Sequence, residues 1–171
     1  MKLWLGAGSF GRLNQKEVTR MMEKAIDFGF EGVDTAPLYA DSEEKIGIAF
    51  KNLQTCLPVS SKMRRKVQNS VEARYSIEKS LENLKIDQLH YLFVHSVPVH
   101  SYENYLCAIV TEKNNNLIGK IGYSGDDMNL KNAIELGKFD CVMGTLNILD
   151  LNNLDMLREA RKKGIQTFVN P

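Results

Sequence analysis

The feature that most constrains the fold is a local pattern, an amphipathic helix followed by a break and a short apolar strand, which recurs about every 25 to 30 residues. Its first instance is the clearest. Asn14 and Glu17 stand three apart as N-cap and N3 partners, a pairing that satisfies two backbone N–H groups left orphaned at a helix start. The helix they open is predicted over Asn14 to Phe28. Val18, Met21, Met22, Ala25 and Ile26 follow the i, i+3, i+4, i+7, i+8 spacing of a buried face. Gly29 and Gly32 then punctuate the chain before Gly32-Val33-Asp34-Thr35, a short strand that ends in polar residues.

The same unit repeats to the end. Further helices are predicted at Ser42 to Leu53, Val71 to Leu84, about Tyr102 to Lys113, Asn129 to Leu136 and Asn152 to Lys163, the last ended by Gly164. Strands are predicted at Leu3 to Ala7, Pro58 to Lys62, Leu89 to His95, Lys120 to Ser124, Asp140 to Thr145 and Ile165 to Val169. Seven strands thus alternate with six helices. Parallel strands need a crossover to return, so this alternation implies an α/β fold with a parallel sheet covered by helices. The regular spacing favours a parallel (β/α) TIM-type barrel over an open doubly wound sheet, in a single domain spanning residues 1–171 with no linker.

Composition narrows the class of partner. Lys and Arg number 22 against 21 Asp and Glu, a formal charge of +1, so no overall field recruits nucleic acid or an anionic membrane. A small molecule is the expected partner. Lys62, Arg64, Arg65 and Lys66 form the nearest thing to a basic patch and read as a solvated loop. Cys56, Cys107 and Cys141 lie at wide spacings with no C-x-x-C pair, which indicates neither a disulfide framework nor zinc and fits a reducing cytoplasm. No apolar run approaches the ~18 residues that span a bilayer, and the N-terminus has no signal-peptide core.

In a parallel α/β sheet, chemistry gathers at the C-terminal ends of the strands. Asp34 ends the second predicted strand, Tyr39 follows it in the loop, Lys62 ends the third and His95 the fourth. Neighbouring strands lie about 4.8 Å apart, so an acid, a phenol, an amine and an imidazole can share one pocket. An ammonium beside a phenol favours the phenolate and makes the phenol a better proton donor. A carboxylate at Asp34 would in turn keep Lys62 charged, and His95 could orient a substrate oxygen. The grouping suits a carbonyl that receives a hydride and becomes an alkoxide. Two rival readings fall away. His90 and His95 point to opposite faces of a strand, so His90, His95 and His100 form no metal site. Gly6-Ala7-Gly8-Ser9-Phe10-Gly11 is read as a tight turn that lets Gly8 and Ser9 pass close to a cofactor, because a short loop and not a helix follows its glycines.

The segment Gly32-Val33-Asp34-Thr35-Ala36-Pro37-Leu38-Tyr39-Ala40-Asp41-Ser42-Glu43 resembles the signature of the aldo-keto reductases. Ser60-Ser61-Lys62 resembles that family's lysine strand, and Ser76 to Leu84 with Tyr91-Leu92-Phe93-Val94-His95 resembles the helix and strand that deliver its histidine. Gly119 to Gly125 and Thr145 to Asp150 resemble its later strand ends. The resemblance implies that Asp34, Tyr39, Lys62 and His95 form the catalytic tetrad. It also implies that NADP(H), less often NAD(H), is the cofactor, held by Gly8, Ser9, Asp34, Ser124 and Gly125, and that a small aldehyde or ketone is the substrate. Two positions depart from the family pattern: Gly125 stands where many members carry asparagine, and Met143 where a glutamine is common. Both weaken the expected hold on the nicotinamide. They favour the alternative of a descendant without turnover that keeps its surface for protein binding. The sequence ends at Asn170-Pro171, before an eighth strand. The expectation is a C-terminally truncated, incomplete barrel with weakened NADP(H) binding and self-association through unpaired edges.

Overall fold

The computed structural model describes residues 2–63, 67, 69–96 and 103–171. Among these, seven strands form one parallel sheet in chain order: β1 (Trp4–Gly6), β2 (Gly32–Asp34), β3 (Val59–Lys62), β4 (Leu89–His95), β5 (Ile118–Ser124), β6 (Cys141–Thr145) and β7 (Gln166–Asn170). Six helices connect them: α1 (Gln15–Asp27), α2 (Ser42–Leu53), α3 (Ser70–Leu84), α4 (Glu103–Asn114), α5 (Asp127–Leu136) and α6 (Leu154–Lys162). The sheet curls into a half-barrel, an incomplete TIM-type (β/α) barrel whose two outer strands are β1 and β7. No helix among the described residues is long and apolar enough to cross a membrane.

The helix starts obey local chemistry. Asn14 Oδ1 accepts the Glu17 backbone N–H at 3.0 Å while Glu17 Oε2 accepts that of Asn14 at 2.8 Å, the reciprocal pair predicted for α1. Asn69 caps α3 by accepting from Glu72 N at 3.0 Å. Other bounds move by two residues for tertiary reasons. β5 begins at Ile118, two residues early, because Ile118 pairs with Leu89 of the long β4. α5 begins at Asp127, where Asp126 and Asn153 organise its N-terminus, and a tight Asn147–Asp150 turn delays α6 to Leu154. A 3-10 turn over Phe10–Arg12 has no counterpart in the sequence reading.

Two apolar regions fill the structure. The larger lies between sheet and helices and contains Val18, Met22, Val33, Ile46, Ile77, Leu92, Ile121 and Val142. The smaller occupies the inner face, where Tyr91, Phe93, Cys141 and Met143 pack with Trp4 and Phe168. Glycine makes room for these rings: a Cβ on Gly32 would lie 2.4 Å from the Trp4 ring, and one on Gly122 would lie 2.5 Å from Phe93. Burial pushes the Cys141 thiol pKa up, in keeping with its packing in the inner cluster.

One predicted core residue is not in the core. Met21 belongs to the apolar stripe of α1, yet it is 39% exposed while Val18, Met22 and Ala25 are buried. It sits on the flank of α1 that turns away from α2, where Leu5, Met21, Ala25, Phe28 and Phe30 line an open apolar groove beside β1. The helix pattern was right, but nothing among the described residues covers this part of the stripe.

Candidate active site

Strand alternation sends Asp34, Ser60 and Lys62 to the inner face, at the C-terminal ends of β2 and β3. Lys62 is 1% exposed, and its Nζ lies 2.6 Å from Asp34 Oδ2 and 3.0 Å from the Thr35 carbonyl oxygen. The other Asp34 oxygen accepts from Ser60 Oγ at 2.6 Å. A charge this far out of water persists only when paired and hydrogen-bonded, and this arrangement supplies both. The same Nζ stands over the Tyr39 ring, 5.0 Å from its centroid. Lys62 therefore meets two of the other three predicted residues, Asp34 through an ion pair and Tyr39 through its ring face. Lys62 also leaves the predicted basic patch, because its side chain points inward; Arg64, Arg65 and Lys66 lie outside the described residues.

His95 ends β4, half-buried, opposite Ser124 in the β4–β5 register. Ser96 takes a positive φ of 48° just beyond it and donates its N–H and Oγ to the Ser124 carbonyl at 2.7 and 3.2 Å. That turn fixes where His95 ends. His90 is exposed against Trp4, while His100 lies outside the described residues.

The predicted cofactor residues fall along the same rim. Gly8 and Ser9 form the exposed turn after β1, and a Cβ on Gly8 would meet nothing within 4 Å. Ser124 is buried at the end of β5. The Gly125 N–H is already donated to the Met143 carbonyl at 3.0 Å, and a side chain there would begin 2.5 Å from the Tyr123 hydroxyl. Tyr123 is fully buried, so the glycine is a packing requirement of this chain. Met143 packs in the inner core and offers no polar group. The exposed turn at Gly8 and Ser9 leaves room for a bound group on this part of the rim.

A second tier of polar residues supports the rim from behind. Thr35 Oγ1 and Ser42 Oγ are 2.9 Å apart, Ser42 donates to the Ala7 carbonyl at 3.2 Å, and Ser61 Oγ donates to Glu43 Oε1 at 2.7 Å. All four side chains are buried. They tie the first turn of α2 to β1, β2 and β3 and so fix both ends of the loop that carries Tyr39. Lys45 joins that loop to the β1 turn. Sequence reasoning gave these residues no role, although Thr35, Ser42 and Glu43 lie inside the signature-like segment.

A parallel half-barrel with an acid, an amine and a phenol clustered at its strand ends is the framework of a TIM-type barrel protein with a polar site on its C-terminal rim. The chain belongs to the Aldo/keto reductase family, whose sequence model matches residues 2–170. Glyoxal reductase of Bacillus subtilis (strain 168) is 34% identical over 95 residues, 54% of this chain and 34% of that protein, so the match spans about a third of that relative. Among solved structures, a Pseudomonas aeruginosa protein described as an aldo-keto reductase is similar at a TM-score of 0.86 and 27% identity, over 98% of this chain and 71% of that one. The aldo-keto reductase AKR11C1 from Bacillus halodurans, in its holo form, shares the fold at a TM-score of 0.87 and 20% identity, over 98% and 61%.

Proposed function

We propose that residues 1–171 act as one unit of an oxidoreductase that reduces a small aldehyde or ketone with NADP(H), in a reducing cytoplasm, with Tyr39 as the proton donor. The observation that carries this reading is the buried Lys62 ammonium, held by Asp34 at 2.6 Å and set over the Tyr39 ring. Surface lysines keep their charge in water. A lysine charge buried at a strand end, beside a phenol, serves the phenol.

Gly8, Ser9, Ser124 and the rim at Gly125 would hold the cofactor, which supplies the hydride. Tyr39 gives its proton to the substrate oxygen as the carbonyl carbon gains that hydride, so the C=O becomes an alcohol and the phenolate takes a proton back from water. Lys62 stabilises the phenolate while it exists, and Asp34 keeps Lys62 charged. His95, on the neighbouring strand, hydrogen-bonds and orients the substrate oxygen. The alternative of a lapsed catalyst loses support here, because the Asp34–Lys62 pair is intact and Gly125 answers to Tyr123.

Tyr39→Phe tests the assignment. Removal of the hydroxyl takes away a contact made to the substrate oxygen in the transition state, so turnover should fall at least a hundredfold while NADPH affinity, read by fluorescence quenching, changes less than twofold. Equal loss of binding and turnover would make the phenol structural.

A further inference from the structure

We propose that Lys45 is a positioning residue, the rivet that holds the β1 turn, with Gly8 and Ser9, against the loop that carries Tyr39. This rests on the reading of the site given above. Lys45 closes the first turn of α2, its N–H donating to the Asp41 carbonyl at 3.0 Å, and its side chain is 14% exposed. Its Nζ faces four oxygens: the carbonyls of Leu13 at 2.6 Å, Phe10 at 3.2 Å and Gly11 at 3.4 Å, and Asp41 Oδ1 at 2.8 Å. Three of the four belong to the 3-10 turn and its exit, and Asp41 closes the Tyr39 loop.

An ammonium has three protons and no acceptor, so these oxygens exhaust it. The Phe10 carbonyl also accepts the Leu13 N–H at 3.1 Å, whereas those of Gly11 and Leu13 lie at the end of a short helical turn, and a charge-assisted bond is a strong way to satisfy them. The two loops also touch directly. A Cβ on Gly11 would lie 2.9 Å from both the Tyr39 carbonyl oxygen and Ala40 Cβ, so only glycine allows this approach. Ala40 itself takes a positive φ of 53°. Gln15 Nε2 donates to the Lys45 carbonyl at 3.0 Å and fastens the start of α1 to the same point. The part of the rim assigned to the cofactor and the part assigned to proton donation are thus fastened to one another by the Lys45 ammonium.

Lys45→Met keeps the stem and removes the charge. The expected result is NADPH binding weakened about tenfold or more, because the charge-assisted hydrogen bonds that hold the 3-10 turn are lost. Turnover at saturating cofactor should fall less than threefold, because Ser42 and Thr35 still anchor the Tyr39 loop. Amide hydrogen exchange of residues 8–13 should quicken, and Lys45→Arg, which keeps the charge, should recover most of both effects. Unchanged affinity in a Lys45→Met protein whose parent binds NADPH overturns this inference and leaves the site assignment standing. Unaltered exchange at residues 8–13, or equal weakening in the Met and Arg variants, also overturns it. A parent chain that binds no NADPH overturns both readings.

Discussion

Trp4 on β1 and Phe168 on β7 meet edge to face across the inside of the half-barrel, ring centroids 5.8 Å apart at 89°. These strands pair with β2 and β6 respectively and not with each other, so the first and last strands of the sheet communicate through side chains. Tyr91 completes the cluster at 5.4 Å from Trp4 and 4.9 Å from Phe168. Trp4→Ala should cost about 3 kcal/mol in urea unfolding, the low end for removing a large aromatic because Trp4 is only half-buried. A loss under about 1 kcal/mol would show that the two edges are independent.

Asp34 and Lys62 should behave as a coupled pair. Removal of one partner strands the other in a dry site, at about 3 to 5 kcal/mol. Asp34→Ala should be the worse of the two, because Lys62 is the more deeply buried partner. The double variant Asp34→Ala/Lys62→Met should be more stable than the sum of the singles predicts, as equilibrium denaturation of all four proteins would reveal. Simple additivity would mean that the pair contributes nothing as a pair.

Placing at position 125 the asparagine that the family resemblance leads one to expect should harm this chain. The new side chain would start 2.5 Å from the Tyr123 hydroxyl, so Gly125→Asn should cost about 1 to 3 kcal/mol. Tyr123→Phe in the same chain should return part of that loss. If Gly125→Asn tightens NADPH binding without lowering the melting temperature, the steric account of this glycine fails.

The exposed edges should associate. Phe28 is 77% exposed at the end of the groove lined by Leu5, Met21 and Phe30, beside the outer edge of β1. Open strand edges flanked by apolar surface attract a partner. Sedimentation of the 171-residue chain should show oligomers at micromolar concentration, and Phe28→Ser should weaken them about tenfold, the value of a buried aromatic at a contact. A monomer at 100 μM or above, in both proteins, would refute the expectation.

By itself the sequence determined the order of elements, the parallel sheet and the positions of Asp34, Lys62 and His95 at strand ends, with Tyr39 in the loop that follows the first of them. These follow from short-range periods: the α1 stripe, its Asn14–Glu17 cap and the apolar strands are each written within a dozen residues or so. Tertiary structure alone decided that Met21 has no cover, that Gly125 makes way for Tyr123, that Lys62 turns inward and that Lys45 binds the 3-10 turn. The last two depend on residues far apart in the chain. Lys45 and Leu13 are separated by 32 positions, and Lys62 and Asp34 by 28. Local patterning tells which face of an element is apolar. It does not tell which neighbour arrives there, because that depends on how the curled sheet brings distant strand ends into one small volume.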